Sequence, residues 1–233
     1  MRNALKSLLA RLPDDALERA LAYAMLRRQF GDLDRAPLFP AREALWEEAL
    51  RRLGGPDLPV TVVEFGVHEG VSLRWFAQRL THPGARFLGL DTFTGLPEAW
   101  GAMPAGTFGT QGRAPQLDDA RVTFLPGLFQ DTAPALLEAL RGTGDQPLLV
   151  HYDADLYAST LFALALVDRL RRPYVAVFDE FTGHETRALR NYRQGWRADA
   201  VFLGRVMWQG RWPAQVLCRI EPGAPTSPAP TPA

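Results

Sequence analysis

The segment Val62–Ser72, which reads VVEFGVHEGVS, constrains the fold of this chain most strongly. A run of apolar residues typical of a buried strand stops at Gly66, and a second glycine, Gly70, precedes a helical pattern. The next apolar run, Arg86–Asp91 (RFLGLD), ends in an aspartate. A strand, a glycine turn, a helix and an acid-terminated strand in this order predict half of a nucleotide-binding α/β fold.

The spacing of these residues indicates the kind of ligand. Asp91 follows Gly70 by 21 residues, close to the interval at which an acid can bind both hydroxyls of a ribose. Glycines let the backbone approach such a ligand closely. The spacing Gly66-x-x-x-Gly70 differs from the GxGxxG of pyrophosphate-binding dehydrogenases, and Glu64 would repel a pyrophosphate. A ligand with a ribose and a cationic head, such as S-adenosylmethionine, suits the segment better.

Composition argues against several classes of function. Lysine plus arginine equals aspartate plus glutamate at 26 each, so no overall positive charge recruits nucleic acid. No run of apolar residues is long enough to span a bilayer, and the N-terminus lacks the apolar core of a signal peptide. The single cysteine, Cys218, excludes an internal disulfide and fits a reducing compartment. We therefore expect a cytoplasmic protein without a membrane span.

Residues 1–57 predict an extension made of helices. The second helix starts at Asp14 or Asp15 and runs to about Phe30, and the third starts at Pro40 and ends at Gly54–Gly55. The first helix has leucines at helical spacing, namely Leu5, Leu8, Leu9 and Leu12. We expect this basic, amphipathic helix to pack on the domain or on a partner subunit rather than on a membrane. The extension is thus a candidate contact for a homo-oligomer.

Residues 58–221 alternate between strand and helix patterns. The predicted strands are 60–65, 86–90, 121–125, 147–153, 174–179, 199–204 and 214–220. The predicted helices lie near 70–80, 132–141, 159–171 and 184–193. This alternation predicts a seven-stranded, mainly parallel sheet with helices on both faces. Residues 222–233 are rich in proline, alanine and threonine, which predicts a disordered tail.

The interval from Thr92 to Ala120 breaks this alternation. It is long and has no clear period, and such loops in compact domains are usually lids or disordered segments. The aromatic residues Phe93, Trp100 and Phe108 favour a lid that folds over a ligand.

Carboxylates end four of the predicted strands. They are Glu64, Asp91, Asp153 with Asp155, and Asp179 with Glu180. Ligands of open parallel sheets bind beyond these strand ends, and so much negative charge in one crevice needs cations nearby. A sulfonium cofactor supplies one positive charge, and a divalent metal such as Mg²⁺, Mn²⁺ or Ca²⁺ would supply more. The alternative is helix capping, which explains one acid at each strand end but not the pairs.

Five segments together resemble the class I S-adenosylmethionine-dependent methyltransferases. The segments are EFGVHEGVS, LDTFTGLPEAW, GLFQDTAP, HYDADLYAST and FDEF, and they occur between about residues 60 and 192 in the order of the family. The resemblance is strongest to the group related to macrocin O-methyltransferase and the sugar O-methyltransferases of antibiotic pathways. It implies a Rossmann-like class I methyltransferase fold.

The resemblance also implies roles for individual residues. Asp153-Ala154-Asp155-Leu156-Tyr157 matches the family segment that supplies a metal ligand and then the general base, so Asp155 and Asp153 are the expected catalytic residues. Asp179 and Glu180 match the metal pair of the family, which with Asp153 makes a three-residue metal set. The segment GLFQD resembles the adenine-side loop of catechol-type O-methyltransferases. The implied cofactor-binding set is Glu64, Gly66, His68, Gly70, Ser72, Asp91, Thr92, Phe93, Phe129, Gln130 and Asp153.

Two histidines lie near these acids. His151 lies two residues before Asp153 on a buried strand, and we interpret it as a core histidine rather than a catalytic one. His184 and Glu185 begin the next helix, where we expect local capping and an ion pair of Glu185 with Arg187.

The sequence departs from the family pattern at two places. Glu180 replaces an aspartate, which adds one methylene to the predicted metal site, and we identify no substrate lid of the family in residues 1–57. The expected acceptor is a hydroxylated small molecule such as a sugar or another natural product. Two other classes remain, namely a nicotinamide-dependent oxidoreductase on the same half-fold and a noncatalytic partner protein that has kept the fold.

Overall fold

A computed structural model describes residues 26–224 together with residues 11, 17, 21 and 24. Residues 26–29 are helical, as predicted for the end of the second helix. The predicted first helix, most of the second helix and the predicted tail after residue 224 lie outside the described residues.

The described residues form a sheet with helices on both faces. The strands are β1 (Leu38–Phe39), β2 (Thr61–Phe65), β3 (Arg86–Asp91), β4 (Val122–Pro126), β5 (Leu148–Tyr152), β6 (Tyr174–Asp179), β7 (Asp199–Trp208) and β8 (Trp212–Glu221). The helices are α1 (Arg42–Arg52), α2 (Val71–Arg79), α3 (Phe129–Arg141), α4 (Tyr157–Asp168) and α5 (His184–Trp196), and a short 3₁₀ helix (Gly31–Arg35) precedes β1.

The order of strands in the sheet is β1-β7-β8-β6-β5-β2-β3-β4. The strands are parallel except for β8, which runs antiparallel to both of its neighbours, β6 and β7. From β2 the chain moves outward to β3 and β4 and then returns to β5 on the other side of β2. Ligands of open α/β sheets bind at such a reversal of strand order, beyond the carboxyl ends of the strands. The mainly parallel α/β fold is confirmed.

The strand count differs from the prediction. Each of the seven predicted strands is present, but an eighth, β1, pairs with β7 at the edge of the sheet through Leu38↔Arg205 and Phe39↔Val206. Two residues are too few to show an alternating pattern, so this strand leaves no signal in the sequence. In addition, α3 begins at Phe129 rather than near residue 132, and β7 continues to Trp208 rather than ending at 204.

Two apolar cores lie on opposite faces of the sheet. One core contains residues of α1 and α2, and the other contains residues of α3, α4 and α5. The predicted apolar face of α1 is buried, and its members are Leu45, Ala49, Leu50 and Leu53. Trp46 on the same helix is only 1% exposed. Burying one large apolar side chain stabilises a fold by about 1.5–3 kcal/mol, so this face fixes α1 on the sheet.

The predicted division of the chain into 1–57, 58–221 and 222–233 remains a prediction. The helix α1 belongs to the predicted extension, yet it packs on the sheet of the predicted domain, where Trp46 Nε1 donates a hydrogen bond of 3.0 Å to Gln215 Oε1. In the described part of the chain, every helix is too short or too polar to cross a membrane.

Candidate active site

A pocket of about 710 Å³ opens beyond the carboxyl ends of the central strands. Ligand pockets in proteins commonly have about 300–1,000 Å³, so this one has room for a nucleoside cofactor and part of a second molecule. Carboxylates dominate its polar lining, namely Asp91, Glu98, Asp153, Asp155, Asp179 and Glu180. The acids that the sequence places at the ends of β3, β5 and β6 therefore meet in one cavity.

Asp91 at the end of β3 organises the glycine turn after β2. Its Oδ2 accepts hydrogen bonds from the backbone N–H groups of Val67 and His68, each at 2.8 Å. Its Oδ1 accepts a hydrogen bond from the backbone N–H of Phe93 at 2.7 Å. The carboxylate also lines the pocket. Three backbone donors therefore hold the carboxylate in one orientation at the pocket wall.

Gly66 is required by the close approach of two loops. Its φ is +90°, and a Cβ at this position would lie 1.7 Å from the carbonyl oxygen of Asp153. Only glycine fits there, because other residues disfavour this φ and would also collide with the backbone after β5. The turn after β2 can therefore lie directly against the segment that carries Asp153.

Glu64 lies behind the pocket wall rather than in it. It is fully buried, and its Oε1 accepts hydrogen bonds from the Ser72 hydroxyl and from Nδ1 of His151, the latter at 2.7 Å. The other carboxylate oxygen of Glu64 and Nε2 of His151 have no partner among the described residues. His151 is 1% exposed and thus lies in the core, in agreement with our interpretation.

The two aspartates after β5 have raised pKa values. Burial, and next the negative charge of Asp179, hold the pKa of Asp153 well above its usual value. Burial, and next the charge of Glu180, raise the pKa of Asp155 to about 7. Asp155 also has a φ of +57°, a conformation that is costly for a residue other than glycine. Perturbed carboxyl groups in a cleft are typical of catalytic sites.

The two acids after β6 differ in their surroundings. The amide Nε2 of Gln215 donates a hydrogen bond to Oδ1 of Asp179. Glu180 is exposed at the edge of the pocket and has a φ of +46°. Partial desolvation, and next the charge of Asp179, raise the pKa of Glu180 to about 6.

The predicted metal set is not assembled as a ligand cluster. Among the described residues, no three His, Cys, Asp or Glu side chains are placed so that they could hold a metal ion together. One oxygen of Asp179 is already occupied by Gln215. Asp153, Asp179 and Glu180 therefore share a pocket but lack the geometry of a preformed Mg²⁺ site.

The predicted cofactor residues divide into two groups. One group lines the pocket and consists of His68, Asp91, Thr92, Phe129, Gln130 and Asp153. The other group is not part of the pocket lining and consists of Glu64, Gly66, Gly70, Ser72 and Phe93. Phe129 packs against Phe65 with a ring-centroid distance of 5.1 Å, which fixes one wall of the pocket.

The loop from Thr92 to Ala120 contributes a wall of the same pocket. Phe93 is buried and packs against Phe124, with ring centroids 6.0 Å apart. The ring of Phe108 lies 5.7 Å from that of His68 and is 41% exposed. The loop is thus anchored by Phe93 at one end, and it presents Phe108 to the pocket.

Sequence reasoning missed the position of Arg42 in the pocket and the burial of Glu185. Arg42, at the start of α1, lines the pocket although it lies outside every motif. Glu185 is 2% exposed, and burial, then the charge of Asp155, raise its pKa well above the usual value. The expected ion pair between Glu185 and Arg187 is not seen among the described residues: Arg187 does not contribute to the shift in the pKa of Glu185, and its guanidinium lies 4.2 Å from the centroid of the Tyr157 ring. Hydrophobic pattern alone cannot show that the first turn of α5 faces the acids.

Comparisons with known proteins concern the fold and the family of the chain. No curated protein sequence matches the chain. A solved structure of the calicheamicin methyltransferase CalS11 has the same fold, with a TM-score of 0.50, 23% identity, and coverage of 92% of this chain and 90% of that chain. The O-methyltransferase NovP gives a TM-score of 0.49 and 19% identity, with coverage of 86% and 98%. An O-methyltransferase from Bacillus cereus in complex with SAH gives 0.48 and 14%, with coverage of 94% and 97%.

A family model provides the assignment. The model described as a methyltransferase domain matches residues 63–181, about half of the chain. The match includes the glycine turn, Asp91 and the acids after β5 and β6, which are the residues that meet around the pocket. The resemblance seen in the sequence is thus confirmed, and the chain belongs to the methyltransferase-domain family.

Proposed function

We propose that this protein transfers a methyl group from S-adenosylmethionine to a hydroxyl of a small molecule, such as a sugar or another natural product. The observation that carries the proposal is the position of Asp155, a carboxyl group with a pKa of about 7, in the same pocket as Asp91. A base of this pKa is suited to take a proton near neutral pH. The family match favours methyl transfer over the nicotinamide-dependent and noncatalytic alternatives.

The pocket offers a separate place for each part of the cofactor. In this proposal the ribose hydroxyls bind Asp91, and the adenine lies beside Phe129 and Gln130, which line the same pocket. The sulfonium then faces Asp153 and Asp155, where negative charge is concentrated and a positive charge is favoured. Glu64, behind the wall, acts through the buried network that holds Ser72 and His151.

The reaction follows from this arrangement. The acceptor oxygen attacks the methyl carbon in line with the carbon–sulfur bond, which breaks and leaves its electron pair on sulfur in S-adenosylhomocysteine. Asp155 takes the hydroxyl proton, a step that contributes about 10²–10⁴-fold when the base is well placed. The pocket supplies alignment of donor and acceptor, which contributes further orders of magnitude.

Mg²⁺ is the second cofactor that we propose to test. Asp153, Asp179 and Glu180 would hold it, and the ion would lower the pKa of the acceptor hydroxyl. Because these side chains do not form a ready ligand cluster, bound Mg²⁺ would have to draw them together.

The test is a screen of hydroxylated acceptors that follows the formation of S-adenosylhomocysteine, in Mg²⁺ and in EDTA. Turnover of a hydroxylated acceptor supports the proposal, and full activity in EDTA rejects the metal. A protein that retains NAD rather than S-adenosylmethionine on purification would overturn the assignment. The balanced charge and the single cysteine also lead us to propose a cytoplasmic enzyme without a nucleic-acid partner. The predicted helices of residues 1–57 lead us to propose a homo-oligomer that forms through this extension.

Asp91→Ala should weaken binding of S-adenosylmethionine by about 1.5–3 kcal/mol, the range for hydrogen bonds to a charged group. Calorimetric titration measures this change. Asp145→Ala is the control, since Asp145 is an exposed acid away from the pocket and should leave the affinity unchanged. Because Asp91 also accepts three backbone hydrogen bonds, the variant must first be shown to be folded by circular dichroism. Unchanged affinity in a folded variant would remove Asp91 from the cofactor site.

The loop from Thr92 to Ala120 should be cut more slowly by protease when S-adenosylhomocysteine is bound. The loop lines the pocket through residues such as Leu96 and Phe108, so a ligand there gives it additional contacts. Limited proteolysis followed by mass spectrometry locates the cuts. Equal rates with and without the ligand would make the segment an ordinary surface loop.

A further inference from the structure

A hydrogen-bonded path connects helix α1 to the pocket. The indole Nε1 of Trp46 donates to Oε1 of Gln215 at 3.0 Å, and Nε2 of Gln215 donates to Oδ1 of Asp179. Trp46 is 1% exposed and Gln215 is 3% exposed, whereas Asp179 lines the pocket. The path therefore begins in the core and ends on a carboxylate of the site.

The chemistry of the path permits one direction only. An indole N–H can donate a hydrogen bond but cannot accept one, so the amide oxygen of Gln215 must face Trp46. The amide NH₂ of Gln215 is then left to face Asp179. A hydrogen bond to a carboxylate is charge-assisted and stronger than one between neutral groups. Trp46 thus fixes the orientation in which Gln215 holds Asp179.

The backbone keeps both ends of the path in place. Gln215 and Asp179 are directly opposite each other in the antiparallel pair of β6 and β8, so their side chains share one face of the sheet. Trp46 is fixed by aromatic packing, with ring centroids 5.2 Å from Trp75 and 5.5 Å from Phe76. Reorientation of the Gln215 amide would break one buried and one partly buried hydrogen bond.

We propose that Trp46 and Gln215 are positioning residues for methyl transfer, which hold the Asp179 carboxylate in the pocket that it shares with Asp153 and Asp155. The inference rests on the proposed function. Neither residue lines the pocket, so both act through Asp179 rather than on the substrate. Both also lie outside the matched range 63–181, so a part of the chain beyond the family model shapes the site. Helix α1 then contributes to catalysis through Trp46.

Trp46→Phe and Gln215→Met test the inference, because they remove the hydrogen bonds while keeping much of the side-chain volume. Each should lower kcat about 10–100-fold, as loss of a supporting hydrogen bond behind a site does. The affinity for S-adenosylhomocysteine should stay within about threefold, because Asp91 and the adenine side are untouched. Trp75→Phe is the matched control, since it changes the neighbouring ring in the same aromatic cluster but lies outside the path.

The double variant distinguishes a connected path from two separate packing defects. If the path acts as one unit, Trp46→Phe should add almost nothing to the loss caused by Gln215→Met. Losses that multiply would overturn the inference, as would a Trp46→Phe enzyme with the kcat of the Trp75→Phe control. A loss of S-adenosylhomocysteine affinity equal to the loss of kcat would also overturn the inference, because equal losses indicate general damage to the fold. A wild-type protein that methylates no hydroxylated acceptor would overturn the proposed function together with this inference, whereas failures confined to the variants overturn the inference alone.

Discussion

Asp155→Asn should lower turnover about 10²–10⁴-fold, the loss expected when a positioned general base is removed. Asparagine keeps the size of the side chain, but it has no carboxylate to take the proton from the hydroxyl that is methylated. Binding of S-adenosylmethionine should remain close to that of the wild type, because Asp91 and the adenine side are intact. Steady-state kinetics and calorimetric titration measure the two effects separately.

The pH dependence provides an independent check on the role of Asp155. Its pKa is raised to about 7, so the carboxylate that accepts a proton is populated as pH rises through that value. Wild-type activity should therefore increase with pH, with a midpoint at or below 7, since the positive charge of the bound cofactor favours the ionised form. A rate that falls as pH rises from 6 to 8 would contradict a carboxylate base.

Stability should change in the opposite direction to activity. A carboxyl group with a raised pKa in the folded state favours folding while it is protonated, and this contribution is lost as pH rises through about 7. Above that pH, Asp155→Asn should be at least as stable as the wild type in thermal unfolding.

Glu98→Gln is the control for the turnover of Asp155→Asn. It removes a different charge from the same pocket and should retain most of the turnover. If Asp155→Asn instead abolished cofactor binding, with no separate effect on turnover, its role as base would be wrong.

Gly66→Ala should destabilise the fold by about 2–6 kcal/mol, because a left-handed backbone and an overpacked contact each cost about 1–3 kcal/mol. The added Cβ would lie 1.7 Å from the carbonyl oxygen of Asp153, so the backbone after β5 must move. Movement of Asp153 also disturbs the pocket, and cofactor affinity should fall with stability. Denaturant unfolding measures the first effect and calorimetry the second.

Gly55→Ala isolates the collision from the backbone strain. Gly55 has a φ of +100°, similar to the +90° of Gly66, but a Cβ there would have no atom within 4 Å. Alanine at Gly55 should therefore cost only the strain of the backbone. Equal destabilisation by the two variants would mean that the turn after β2 does not depend on its contact with the Asp153 carbonyl.

Sequence alone predicted the sheet because its strands are marked by local patterns. The runs that end at Glu64–Phe65, Asp91 and Asp179 are apolar and short, and each is followed by a helix or loop signal. Because parallel strands present their carboxyl ends at one edge, the meeting of the acids in one pocket also followed from the sequence. The same reasoning could not assign distances, so the metal set was drawn from residues that do not form a ligand cluster.

The residues that were missed depend on the order of the strands. Gln215 reaches Asp179 only because β8 lies beside β6, 36 residues away along the chain. Nothing local in the sequence shows that the last strand inserts between β6 and β7. Arg42 reaches the pocket, and Trp46 reaches Gln215, because α1 packs against the same sheet. The apolar face of α1 predicts that the helix packs on the domain but not where it packs. The pattern of residues predicts whether an element is a helix or a strand, but not where that element packs in the fold.

The interior position of β8 imposes an order on biosynthesis. The ribosome makes β6 before β8, so the growing chain carries β6 without its antiparallel neighbour until synthesis has passed Gln215. At about 5–20 residues per second, the 36 residues from Asp179 to Gln215 take about 2–7 s. An uncovered strand edge can pair with another chain during this interval, so a nascent or prematurely terminated chain presents an edge for aggregation that the finished protein covers.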